Sequence, residues 1–184
     1  MKMIAFKGTT AVLALLISAV LTVSGISETR AQEKHKISYK LLPEITKYTQ
    51  QHVIDVGDVP GHQVRIYEIH RTYPRDLVTF AGVRAVEEWL RGYSDYIDTN
   101  GRSWAYGIYT LENGDKVFSR LDGTSHTIVD PDGSKKSTHT GTWVLTGGTG
   151  KFRGIRGMLR ATIIFDTKAG LNEGQVEGEY WIED

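Results

Sequence analysis

The sequence predicts an all-β chain, a single antiparallel β-barrel of eight strands with an N-terminal arm, and three observations predict it. Gly147, Gly148, Gly150, Gly154 and Gly157 crowd one short stretch between two β-prone runs, so the chain reverses there as an antiparallel pair. Turn dipeptides recur from Val53 onward: Pro60-Gly61, Asn100-Gly101, Asn113-Gly114, Asp122-Gly123 and Asp132-Gly133. Asn-Gly and Asp-Gly supply the positive φ that tight hairpins require. The last run alternates cleanly, with Val176, Gly178, Tyr180 and Ile182 on one face and Gln175, Glu177, Glu179, Trp181 and Glu183 on the other.

In chain order, residues 1–31 have the layout of a secretory signal peptide. Lys2 and Lys7 precede an apolar core from Ala11 to Val23, and Thr29-Arg30-Ala31 is a small-residue site with cleavage expected after Ala31. The apolar core is too short for a comfortable membrane span, which needs roughly 20 residues. Residues 32–52 are polar and punctuated by Pro43, with Ile37, Tyr39, Leu41 and Leu42 as apolar anchors, and read as an arm or short helix laid on the barrel. Residues 53–184 read as the barrel domain. Its strand-like runs are Val64–Arg71, Arg84–Trp89, Tyr93–Ile97, Trp104–Leu111, Lys116–Leu121, His126–Val129, Thr138–Leu145, Met158–Phe165 and Gln175–Ile182, two of which could join as one bent strand. Ala85 to Arg91 also matches the spacing of a helical turn. Closing eight such strands removes the exposed edges that invite aggregation.

Composition narrows the function classes. The whole chain balances 22 basic against 22 acidic residues; loss of residues 1–31 leaves 19 and 21, a net charge of −2. That near-neutral surface argues against nucleic acid as a partner. The chain has no cysteine, so neither disulfides nor a lipid-modified cysteine hold or anchor it. No Asn-x-Ser/Thr acceptor is present either, and the expected location is secreted or periplasmic, without stable membrane insertion after cleavage.

Motifs for dedicated chemistry are sparse. The lysine after Gly150 suggests a phosphate loop, but that pattern needs glycine where Leu145 stands and Ser or Thr where Phe152 stands. No H-x-H, H-E-x-x-H or calcium loop occurs, and Asp130-Pro131-Asp132-Gly133 reads as a turn, so neither metal nor cofactor is expected. Glu68 and His70 fall two apart on one predicted strand and are the weak candidates for a general acid/base pair in an apolar lumen. Arg120 and Asp122 share a face in the same way; the ordinary reading is an ion pair, the functional one a clamp for a ligand carboxylate. Tyr93, Tyr96, Trp104, Tyr106, Tyr109, Trp143, Tyr180 and Trp181 are numerous for this length, and most aromatics in β proteins fill a core. The expected ligand contacts are Tyr93, Trp104, Tyr106, Arg120, Trp143 and Tyr180.

The glycine corner, Gly147-Gly148-Thr149-Gly150-Lys151-Phe152-Arg153-Gly154-Ile155-Arg156-Gly157, resembles the signature of the dirigent and allene oxide cyclase-like barrel superfamily. Ile155 departs from the small alanine common there, and the likeness covers Thr138 to about Phe165. The resemblance implies a barrel whose lumen holds an apolar or phenolic compound, steered chiefly by shape, in a protein that assembles as a homo-oligomer, a trimer in related barrels. It carries over no cyclase residues. The leading expectation is a small-molecule binder without dedicated catalytic machinery; the alternatives are a cyclase or isomerase using Glu68 and His70, and a structural or oligomeric interaction module.

Overall fold

The computed structural model describes residues 32–74, 76–166, 168–169 and 171–183. The expected signal peptide lies outside the described residues. Ten strands follow in order: β1 His35–Leu41, β2 Thr46–Asp55, β3 His62–Thr72, β4 Thr79–Phe80, β5 Val83–Ile97, β6 Asn100–Leu111, β7 Lys116–Val129, β8 Lys135–Gly148, β9 Ile155–Asp166 and β10 Leu171–Ile182. Short 3-10 turns occupy Pro43–Ile45 and Gly150–Phe152, and no α-helix occurs among the described residues.

Every pairing is antiparallel, in the order β1-β10-β9-β8-β7-β6-β5-β3-β2, with β4 paired to β5. Two expectations are corrected. The strands number ten, not eight, and hydrogen bonding does not close the ring, because β1 and β2 end the path without pairing. They are joined instead through the Pro43–Ile45 corner.

The count differs because long strands absorbed two expected breaks while three strands were added. Arg84–Trp89 and Tyr93–Ile97 are one strand, β5, so the helical alternative for Ala85 to Arg91 is also overturned. Lys116–Leu121 and His126–Val129 are likewise one strand, β7. Asp122-Gly123 makes no turn: a Cβ on Gly123 would lie 2.5 Å from Cε1 of His139, so glycine there serves close packing. The β5–β6 reversal falls at Asp98-Thr99, both at positive φ (47° and 65°), and Asn100-Gly101 already begins β6.

Residues 32–52 are not an arm. Ile37, Tyr39 and Leu41 alternate inward on β1 and are buried, and β1 pairs with β10 from His35↔Tyr180 to Leu41↔Gly174. The glycine corner does join β8 to β9 as an antiparallel pair. Gly150 sits at φ 52° against the Asp115 carboxylate, and Phe152 is fully buried beneath the corner.

Side chains show that the sheet curls around its own inner face. Tyr39 on β1 and Tyr109 on β6, far apart along the strand order, meet hydroxyl to hydroxyl at 3.0 Å. The segment after β3 folds across one end, where Phe80 packs against both Tyr109 and Tyr180, and Ala81 N–H donates to the Tyr180 hydroxyl at 2.6 Å. That end is solid, filled by Val78, Phe80, Tyr109, Leu111, Val117 and Phe152.

Candidate functional site

The opposite half of the curled sheet is hollow, and the register explains why. Ser94, Ser103, Gly123, Gly141 and Ala161 stand side by side on β5 to β9, five small residues in one inward-facing row. A core row normally carries branched or aromatic side chains that fill the interior. Of this row Ser94 and Ser103 border a cavity of about 310 Å³, while the His139 ring occupies the space over Gly123. Leu90, Ala105, Leu121 and Trp143 line it deeper in, Leu41, Leu42 and Tyr48 line it from the corner between the two sheet ends, and Ile163 and Phe165 from β9. Thr99 and Phe165 are exposed, so the cavity reaches solvent at the hairpin end.

Its polar groups fall into two sets. Below the cavity, Arg71 Nη1 donates to Glu88 Oε2 at 2.7 Å and Tyr73 donates its hydroxyl to the same oxygen at 2.7 Å. Glu88 is fully buried and Arg71 nearly so, which makes this a desolvated ion pair closed by a phenol. Around the wall, Arg65 Nε, Ser103 Oγ, His139 Nδ1 and Trp143 Nε1 are buried and have no hydrogen-bond partner. Such groups are rare in folded proteins, because each forfeits its bond to water without replacement.

Charge on the lining has one sign. Arg65, Arg71 and His139 line the cavity and no Asp or Glu does. Burial, followed by the nearby Arg71 charge, lowers the His139 pKa below its usual value, which favours the neutral ring. Burial raises the phenols of Tyr67 and Tyr96, so they too stay neutral. No hydrogen bond joins a serine hydroxyl to His139 among the described residues. Among the described residues no group of three or more His, Asp or Glu is placed to hold a metal ion.

Most of the residues expected to form the site lie elsewhere. Glu68 and His70 share a face, as the spacing implies, but it is the outer one; Tyr67, Ile69 and Arg71 point inward. Glu68 accepts from Arg91 Nε at 2.7 Å and from Thr49 at 2.7 Å, while His70 bonds Glu87 at 2.8 Å and stacks on Trp89. The lumenal acid/base pair is thereby overturned. Tyr93, Trp104 and Tyr106 are also outside, with the Trp104 ring in contact with both tyrosines and Tyr93 and Tyr106 exposed. Arg120 pairs with Asp122 along its own strand at 3.4 Å, both well exposed. Tyr180 is buried in the solid end, bonded to Ala81. Only Trp143 of the six expected ligand contacts lines the cavity; Tyr96, from the wider aromatic set, does so too.

The physical reason is that a hollow needs small residues inside. On β6 the large face, Trp104, Tyr106 and Ile108, turns out and the small face, Ser103, Ala105 and Gly107, turns in. Sequence reading missed Arg65, Arg71, Glu88 and His139. The signal for three of them was available: Arg65 and Arg71 alternate with Tyr67 and Ile69, and Glu88 with Leu90, so charged residues share a frame with large apolar ones.

No family model matches the chain, and no curated protein matches it significantly. No helix among the described residues is long and apolar enough to cross a membrane.

Proposed function

We propose that this chain is an exported protein that binds a small apolar or phenolic molecule in the cavity of its curled sheet, without dedicated catalytic machinery. The observation that carries the reading is the cavity itself, apolar over most of its wall, with Arg65, Arg71, His139 and serine side chains among its lining. Pockets of a few hundred Å³ with a few convergent polar groups are the usual form of small-molecule sites. The likeness of the glycine corner to dirigent and allene oxide cyclase-like barrels supports the same reading, as does the signal-like leader for export. The cyclase alternative loses its support with Glu68 and His70 on the outer face.

Native mass spectrometry of freshly purified protein tests the proposal. The expected result is a retained small molecule that is released on denaturation, together with partial quenching of the tryptophan fluorescence by added apolar or phenolic probes, which Trp143→Phe abolishes. Repeated preparations showing only the chain mass, with no fluorescence response, would refute it.

A second reading concerns the outer face. Ile66, Tyr93, Tyr106 and Met158 are each 47% exposed or more, and the register sets Ile66 beside Tyr93 and Trp104 across β3, β5 and β6. Exposed apolar belts of this kind favour association, which fits assembly into a homo-oligomer such as a trimer. Light scattering tests it: a strict monomer at high concentration removes this reading and leaves the first intact.

A further inference from the structure

We propose that the cavity's ligand is a compact monoanion, an aryl or short-chain carboxylate, whose charged group is held by Arg65; this rests on the binding reading above. The two arginines of the lining are not equivalent. Arg71 is neutralised by Glu88. Arg65 makes no ion pair among the described residues, and its Nε is buried with no acceptor. With no Asp or Glu on the lining, the cavity wall carries an uncompensated positive charge.

The groups around Arg65 are ones that can donate. Arg65 pairs in register with Ser94 on β5, and Ser94 with Ser103 on β6, so a guanidinium and two hydroxyls form one row. The Trp143 indole nitrogen is unpartnered, and the Ser103 hydroxyl lies beside those of Tyr67 and Tyr96. A guanidinium without a counterion, serine hydroxyls and no acidic acceptor on the lining match a ligand that is rich in acceptors. A carboxylate fits the planar fork of arginine and forms charge-assisted bonds stronger than those between neutral groups. A cation would meet Arg65 unfavourably, and a neutral phenol would leave the guanidinium charge unmatched.

Size sets the rest of the molecule. At roughly 10–15 Å³ of cavity volume for a water-sized group, 310 Å³ holds about 20–30 such groups. That accommodates an aryl ring with a short acid side chain. The apolar body would lie against Leu90, Leu121 and Trp143, which line the deeper wall.

Isothermal titration calorimetry with phenylbutyrate and phenylbutanol, which share a body and differ in the charged group, tests the assignment. The expected result is at least tenfold tighter binding of phenylbutyrate, as charge-assisted bonding implies. In Arg65→Gln the ratio of the two affinities falls toward one, and Arg65→Lys restores part of it. Equal affinity of the unaltered protein for both compounds overturns the anion assignment and leaves the binding reading standing; so does an unchanged ratio in Arg65→Gln. Binding of neither compound, with no small molecule retained in native mass spectrometry, overturns both.

Discussion

Replacing Glu88 with alanine strips the carboxylate from the most deeply buried charged group of the structure. Glu88 is fully buried and accepts both the Arg71 guanidinium and the Tyr73 hydroxyl on one oxygen, each at 2.7 Å. Its loss leaves Arg71, itself 4% exposed, as a buried charge without a counterion. Breaking such a pair from one side costs about 3–5 kcal/mol, because the remaining charge has lost water and gained nothing. For a domain of this size each kcal/mol lowers the midpoint by roughly 2–4 °C, so the expected fall in Tm is about 6–20 °C. Urea unfolding followed by tryptophan fluorescence gives the free energy directly, and an unchanged slope shows that the unfolded state is not altered. The triple replacement Arg71→Met, Tyr73→Phe, Glu88→Leu removes the charges and the stranded hydroxyl together, and recovers most of the loss. A Glu88→Ala cost below about 1 kcal/mol, or a triple variant as unstable as the single one, would refute the reasoning.

Two further predictions concern His139 and its surroundings. Two histidines should titrate on opposite sides of the ordinary value of 6.5: His62 above it, held by Asp95 and then Asp58, and His139 below it, through burial and then Arg71. Stability owed to His62 is present below the unfolded pKa and is lost as pH rises through the raised folded value. Stability owed to neutral His139 is present above 6.5 and declines as pH falls from there toward its lowered folded value. NMR titration of the imidazole resonances checks the order, and His139 titrating at or above His62 contradicts it. Gly123→Ala places a Cβ 2.5 Å from His139 Cε1 and 2.9 Å from the Thr140 carbonyl oxygen. The overpacking should cost about 1–3 kcal/mol in the same urea assay, and a neutral substitution would show that the ring and strand yield freely.

How legible the molecule was in its sequence varies from element to element. The glycine corner was legible because it is local: five glycines flanked by β-prone runs demand a reversal wherever the rest of the chain lies, and β8 and β9 pair around it. The inward frame of β10 was legible for a similar reason, since Val176 and Tyr180 are opposed by glutamates. The alternation of Ile37, Tyr39 and Leu41 was equally present, yet Pro43 and the polar surroundings masked it as an arm; in the structure the proline begins the corner between two edge strands. Gly123 read as a break because glycine serves both turns and close approaches, and only the neighbouring strand distinguishes the two.

By itself the sequence determined that the chain is antiparallel and all-β, where most reversals fall, and which residues share a face, because backbone alternation and turn conformation are local properties. Tertiary structure decided which face turned inward, how many strands joined and that the ring of hydrogen bonds stays open. Those outcomes depend on pairings between residues remote in the chain: Ser94, Ser103, Gly123, Gly141 and Ala161 become a row, and Arg65, His139 and Trp143 come to line one cavity, only once the register of neighbouring strands is set.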